Sequence, residues 1–425
     1  MPKQEYQKVN NRSPSNVDMI LQVLKKQEKS RNENGIIMIK TNQESYYPGD
    51  TIIGKILLRF NGNVEISDIV VSILSLEMVS FINSNKELVQ QKNQLLEINQ
   101  TLHKLTDRML KAGDYTFDFQ FTIPSDIPAS FYYAYDLNVK APLWIKHTIK
   151  CRVTDNNQQR ILSYKLPFII RDKPESSCDL YSKTVTEKVR PIACSFFNYG
   201  KIQIQAKQDP KLFEQDQQHF INLEFDVDNT KSTAQIKEIN VSYTTHIEVY
   251  DENSKIVQSH QYLGAIYTLP GLPPKKKDAA PRKLKLPYKV QNKYLYSLRA
   301  KHAVNFKISD DEKFYMSRHQ LGQTSGDRIK SHTLINISLV LQPKYCDYFK
   351  NIQLTLPLYQ ALQPSPQRKL YLMPEGFSPI SLGETVIEAT LFGETMVRNS
   401  TEITDLKRVT FGNFRTVTAD TNILI

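Results

Sequence analysis

Cysteine is scarce in this chain: four in 425 residues, at Cys151, Cys178, Cys194 and Cys346, without paired spacing. That favours reduced thiols in a cytosolic protein over a disulfide framework. Long apolar runs are missing too. No window approaches the ~20 residues of a membrane-spanning helix, and Met1 to Asn11 is polar, without the apolar stretch of a secretory signal. Local catalytic signatures are equally absent: there is no Gly-x-Ser-x-Gly, no Gly-Lys-Ser/Thr phosphate loop and no dinucleotide fingerprint. The eight histidines are dispersed, and His246, His260 and His302 lack metal spacing to carboxylates or cysteines. No catalytic residue, metal site or cofactor is expected, and an enzyme is the least favoured class.

What is present is enough apolar matter for real cores: 40% hydrophobic and 10% aromatic residues, which rules out wholesale disorder. The length suits two domains of ordinary size. Lys plus Arg is 55 against 44 acidic residues, a net charge of +11. That balance favours anionic partners, whether phosphorylated tails, acidic lipid surfaces or nucleic acid, or else reflects only a solvated lysine-rich surface.

The sharpest local signal is Tyr46-Tyr47-Pro48-Gly49-Asp50, where Pro48 presets φ and Gly49 permits φ > 0. A strand follows, with Ile56, Leu58 and Phe60 on one face and Lys55 and Arg59 on the other. Tyr115-Thr116-Phe117-Asp118-Phe119-Gln120-Phe121-Thr122-Ile123 alternates apolar and polar throughout, stacking four rings on one side. Ile66–Ile73 has a looser copy at Ile236–Tyr243, an offset of 170 residues (236 − 66). His147-Thr148-Ile149 parallels His332-Thr333-Leu334, and Lys165-Leu166-Pro167-Phe168 parallels Thr355-Leu356-Pro357-Leu358. One β-unit is used twice, so the fold class is all-β: two tandem immunoglobulin-like antiparallel β-sandwiches.

Residues 1–34 read as a flexible leader in which Val17, Ile20, Leu21 and Leu24 have helical spacing behind a Ser15 or Asn16 cap. The N-domain spans 35–173, a connector 174–195 and the C-domain 196–361. Between Ser80 and Met109 the pattern weakens to a long hairpin or a short helix. The C-domain carries a basic insertion at about 264–326. Residues 362–425 form a flexible tail with a near-repeat, Ser381–Thr385 and Leu391–Thr395.

The order of these motifs resembles an arrestin. Pro48-Gly49-Asp50 with Ile-x-Gly-x-Ile/Leu-x-Leu, Gly113-Asp114-Tyr115-x-Phe117-x-Phe119-x-Phe121-x-Ile123-Pro124 and Ile127-Pro128-Ala129-Ser130-Phe131 are similar to the arrestin N-domain. Lys188, Cys194, Phe196, Gly200, Ile202, Ile204 and Ala206 are similar to the start of its C-domain, and His332–Leu341 with Ile352–Leu358 to its closing strands. The resemblance covers roughly residues 36–360 and favours the arrestin-domain-containing (α-arrestin) branch. It implies a cytoplasmic adaptor, peripheral to membranes or endosomes, that binds cytosolic tails of membrane proteins and links them to endocytic or ubiquitination machinery. In some relatives lysines and arginines on the concave side sense phosphates. The second copy of the turn, Phe213-Glu214-Gln215-Asp216, lacks Pro-Gly, and no Pro-Pro-x-Tyr ligase-docking motif is present.

Two groups of cations are candidate anion sites. Lys275, Lys276, Lys277, Arg282, Lys283 and Lys285 stand against one acid, Asp278, in a proline-spaced segment suited to phosphoinositide headgroups or phosphopeptides. The bland alternative is a solvated charge run or a nuclear-targeting tract. Lys40, Lys55 and Arg59 offer a possible phosphate groove in the N-domain, against ordinary outward strand lysines. Trp144, among Pro142, Leu143 and Ile145, is expected to pack. A retromer-type cargo-sorting subunit of the same fold is the alternative adaptor. A basic nucleic-acid-binding protein is the alternative of another class; the strands lack the basic–aromatic interleaving that single-strand stacking needs, so no nucleic acid is expected.

Overall fold

The computed structural model describes residues 31–82, 88–104, 109–133, 143–173, 181–192, 197–208, 212–213, 219–288, 324–342, 349–358, 361–362, 376–380 and 388–390. The first half contains β1 (Arg31–Asn32), β2 (Gly35–Thr41), β3 (Ser45–Tyr46), β4 (Thr51–Phe60), β5 (Val64–Glu65) and β6 (Asp68–Ile82). It continues with β7 (Leu88–Lys104), β8 (Met109–Leu110), β9 (Gly113–Thr122), β10 (Phe131–Tyr133), β11 (Leu143–Thr154) and β12 (Arg160–Ile170). The second half holds β13 (Ser182–Lys188), β14 (Lys201–Gln208), β15 (Leu212–Phe213), β16 (His219–Asp228), β17 (Ile236–Tyr250) and β18 (Ile256–Pro270). It closes with β19 (Arg282–Tyr288), β20 (Thr324–Ser325), β21 (Ile329–Leu341), β22 (Ile352–Pro357), β23 (Ala361–Leu362) and β24 (Glu388–Thr390).

The strands form two sandwiches of one topology. In the first, the sheet β1-β2-β4-β9 faces β7-β6-β11-β12-β3, with β10 on β11. In the second, β13-β14-β16-β19 faces β18-β17-β21, with β20 and β22 both on β21. Even the short parallel pairing repeats: β12 with β3, and β23 with β15. The cause is period-two patterning. Tyr115, Phe117, Phe119, Phe121 and Ile123 are all buried, while Asp118, Gln120 and Thr122 on the same run are exposed. Ile202, Ile204 and Ala206 do the same work in β14. Gly49 takes φ 90° in the Pro-Gly turn, and its N–H donates to the Ile123 carbonyl at 3.1 Å, so the turn and the end of the aromatic strand lock together.

Register corrects one sequence parallel. Ile73 and Leu166 both face Ile149 across β11, whereas Tyr243 and Leu356 both face Ile335 across β21. Ile149 therefore corresponds to Ile335, not to Leu334, and His147 to Thr333. A one-residue slip exchanges the faces of a strand. His147 is accordingly buried, with Nδ1 2.7 Å from the Ser75 hydroxyl, while His332 points outward and stacks on His246 with ring centroids 5.2 Å apart. The Leu166-Pro167-Phe168 parallel is in true register.

Several boundaries also shift. The weak stretch from Ser80 to Met109 is the long hairpin β6–β7, not a helix. The supposed connector contains β13, and the leader contains β1. Within the basic insertion, Gly264–Pro270 completes β18 and Arg282–Tyr288 forms β19, the topological counterpart of β9. The tail returns to the first sandwich, where β24 pairs with β7 and Pro379 bridges Asp114. The helical spacing at Val17–Leu24, His302, Cys178, Cys194, Cys346, Phe196 and both halves of the near-repeat, 381–385 and 391–395, lie outside the described residues.

The two cores meet. Ile247, Val249 and Ile329 of the second sandwich, each fully buried, belong to one continuous cluster with the core of the first. Among the described residues no helix is long and apolar enough to cross a membrane.

Candidate functional site

Sheet pairing gathers cations that are scattered in sequence. Lys150 and Arg152 lie on the outward side of β11, and the β11–β12 register sets Lys150 directly against Lys165 and Thr154 against Arg160. Like charges placed opposite each other destabilise a sheet by a few tenths to about 1 kcal/mol. Among the described residues none of these four forms an ion pair. Burial, then the charges of Lys165, Arg152 and Arg160, hold the Lys150 ammonium below its ordinary value, with Glu97 opposing. Beside them an open cavity is lined by Arg31, Asn32, Arg160, Ile161, Leu162, Ser163 and Lys165: three cations and no acid. Trp144 ends the same outward row, half-buried, with the Lys146 ammonium 4.5 Å from its ring centre.

The cations expected to matter are placed differently. Arg59 donates through Nε and Nη2 to Asp114 at 2.6 and 2.9 Å. That same carboxylate accepts from the Ser378 amide at 2.7 Å, and the Arg59 guanidinium lies over the Phe377 ring. The ion pair with Arg59 holds Asp114 below the usual carboxylate range. Lys55 is 3.4 Å from Asp118 and faces Lys40 across β2–β4. Of the second group, Arg282 is bound to Asp278 and donates to the Pro270 carbonyl at 2.7 Å. Lys277 pairs with Asp226 at 3.5 Å, and Lys283 stands opposite Glu224 on β16. Lys275, Lys276 and Lys285 are exposed, Lys275 with φ 58° in the turn before β19.

A second unforeseen group sits at the junction of the sandwiches. Glu77, 1% exposed, interrupts the inward apolar row of β6 and accepts from the amides of Arg328 and Ile329 at 3.1 and 2.9 Å. Gly326 allows the approach, since a Cβ there would fall 2.3 Å from Glu77 Oε1. Thr324 donates to the Ala129 carbonyl at 2.9 Å, and the Arg328 guanidinium reaches Gln91 and Glu252. Burial pushes the Glu77 carboxyl up to about 7; the Asp327 charge adds to this, while the two amides and Arg328 oppose it. Ser75 and Glu77, two polar residues at consecutive inward positions of one strand, were the signal that marked this spot.

Among the described residues no group of three or more His, Cys, Asp and Glu is placed to hold an ion. Burial raises the Cys151 thiol, which sits inside the core.

Residues 36–172 match the family described as Arrestin (or S-antigen), N-terminal domain, so the first sandwich is similar to an arrestin N-terminal domain. The match stops where β12 ends and does not extend over the second sandwich, whose kinship to the first rests on the repeated topology. No curated protein matches the chain. Arrestin-family proteins are generally non-enzymatic adaptors.

Proposed function

We propose that this protein is an arrestin-like adaptor that holds acidic or phosphorylated cytosolic segments of membrane proteins and links them to trafficking machinery. The observation that carries the reading is the β11–β12 face, where Lys150, Arg152, Arg160 and Lys165 converge with Arg31 and, among the described residues, form no ion pair. A fold does not place unpaired like charges side by side without cost, and an anionic segment lying across them turns that repulsion into charge-assisted hydrogen bonds. Lys275, Lys276, Lys283 and Lys285 offer a second, more dispersed contact on the C-domain. Arg59 is left out of the proposed contact because Asp114 already occupies its guanidinium.

The test uses the full chain and a synthetic phosphoserine peptide, with fluorescence anisotropy at low and physiological salt. Lys150→Gln combined with Lys165→Gln is expected to weaken binding about tenfold or more, a tenfold loss being about 1.4 kcal/mol for the pair. The melting temperature is expected to hold or rise, because the substitutions remove repulsion. Unchanged affinity sinks the proposed face. Binding to phosphatidylserine vesicles or to RNA, with none to the peptide, replaces the cargo reading by a lipid or nucleic-acid one.

A further inference from the structure

The tail segment Gly376-Phe377-Ser378-Pro379-Ile380 lies against β9, the end strand of its sheet, where Pro379 bridges Asp114 in parallel. Among the described residues two hydrogen bonds hold the segment there, and both end on Asp114. The Ser378 amide donates to its carboxylate and the Ile380 amide to its backbone carbonyl, each at 2.7 Å. Ile380 rests over Gly113, where a Cβ would fall 2.6 Å from Ile380 Cδ1. Phe377 is half-buried, with the Arg59 guanidinium 5.8 Å from its ring centre. Ser378 is exposed.

Serine followed by proline occurs three times in the sequence, at Ser13-Pro14, Ser365-Pro366 and Ser378-Pro379. The third is the pair that lies within the described residues. A proline directly after the acceptor serine is what proline-directed protein kinases read. A segment held by so few hydrogen bonds opens locally at little cost, which presents Ser378 to such an enzyme.

We infer that Ser378 is a phosphorylation site, and that its modification lifts residues 376–380 off β9. In the transfer the Ser378 Oγ bonds to the γ-phosphorus of ATP while the bond to the β,γ-bridging oxygen breaks. ADP leaves, and the hydroxyl proton passes to the base of the kinase. The phosphate adds about two negative charges at neutral pH. It stands on the residue whose own amide touches the Asp114 carboxylate, so the two anions become neighbours. The bonds from Arg59 hold Asp114 below the usual carboxylate range, so protonation gives no relief near neutral pH. Arg59 already donates to Asp114 through Nε and Nη2, and this one cation would then face about three negative charges. A phosphate set beside a carboxylate disrupts the contact it joins. Strand β24, paired separately with β7, keeps the released segment close.

Hydrogen exchange of the full chain, treated with ATP and a proline-directed kinase or with ATP alone, reads the result. Ser378 is expected to take up the phosphate, and the amides of Ser378 and Ile380 to exchange about tenfold faster or more. In Ser378→Ala the Ile380 amide is expected to keep its slow rate with and without kinase, because the serine side chain makes neither hydrogen bond. Asp114→Asn keeps an acceptor for the Ser378 amide but removes the charge, so phosphorylation should speed exchange there less than about threefold. Should that variant not hold the tail, added salt serves in its place: it screens exposed charges and should slow exchange in the phosphorylated wild-type chain. An unmodified Ser378 after kinase treatment, unchanged exchange in the phosphorylated chain, or equal release in Asp114→Asn overturns the inference.

Discussion

At the scale of single residues, Glu77 couples stability to pH. Its carboxyl is raised from 4.5 to about 7 in the folded protein, a difference corresponding to roughly 3 kcal/mol. The sign follows from linkage: a group whose folded value is raised contributes stability fully below its unfolded value and loses it as pH climbs through the folded one. Stability is therefore expected to fall between about pH 4.5 and 7 and to level off above. Glu77→Gln should flatten that slope in urea melts taken across the range; a slope as steep as wild type refutes the assignment. Glu77→Ala should also remove that slope and, below about pH 4.5, cost about 1–3 kcal/mol per stranded amide, since Arg328 and Ile329 lose their acceptor. Sequence patterning marked the apolar neighbours of Glu77 as core but could not say what met the carboxylate. Its partners lie about 250 residues away, beyond the reach of any local periodicity.

Among the elements, β19 shows how charge hides a strand. Leu284 and Leu286 alternate with Lys283 and Lys285 in perfect period two, yet the density of cations invites reading the segment as a solvated loop. In the fold, Leu286 is fully buried and the strand takes the place that β9 holds in the first sandwich. The six cations thereby divide into structural and exposed sets. Arg282→Gln is expected to lower stability by about 1–3 kcal/mol, because it takes the guanidinium from the Asp278 carboxylate and the Pro270 carbonyl. Lys283→Gln, at an exposed position, should stay within about 0.5 kcal/mol of wild type in the same denaturation experiment. Equal losses from both would mean that β19 is not paired as described. The aromatic strand and the Pro-Gly turn were legible in full, since each signal is local. The β11–β12 cations were not, because only cross-strand register brings Lys150 to Lys165.

For the whole molecule, two sandwiches with one shared hydrophobic cluster should behave as one cooperative body. Ile247, Val249 and Ile329 are buried in continuity with the first core, so calorimetry is expected to show a single transition. Ile329→Ala should shift that transition as a unit, at a cost of about 2–5 kcal/mol; a second peak that moves alone would contradict the shared core. The doubling of the module was readable from repeated strands, down to the matching Leu-Pro pair in β12 and β22. The joining of the two copies was not, because it depends on strand ends that look like ordinary sheet.

The junction has a chemical consequence of its own. Parting the sandwiches would return Glu77 to water and to the acidity of a free glutamate, so in mildly acidic buffer each opening would liberate a proton. Acid then clasps the halves together and alkali loosens them. The heat of opening would change with the ionisation enthalpy of whatever buffer receives that proton.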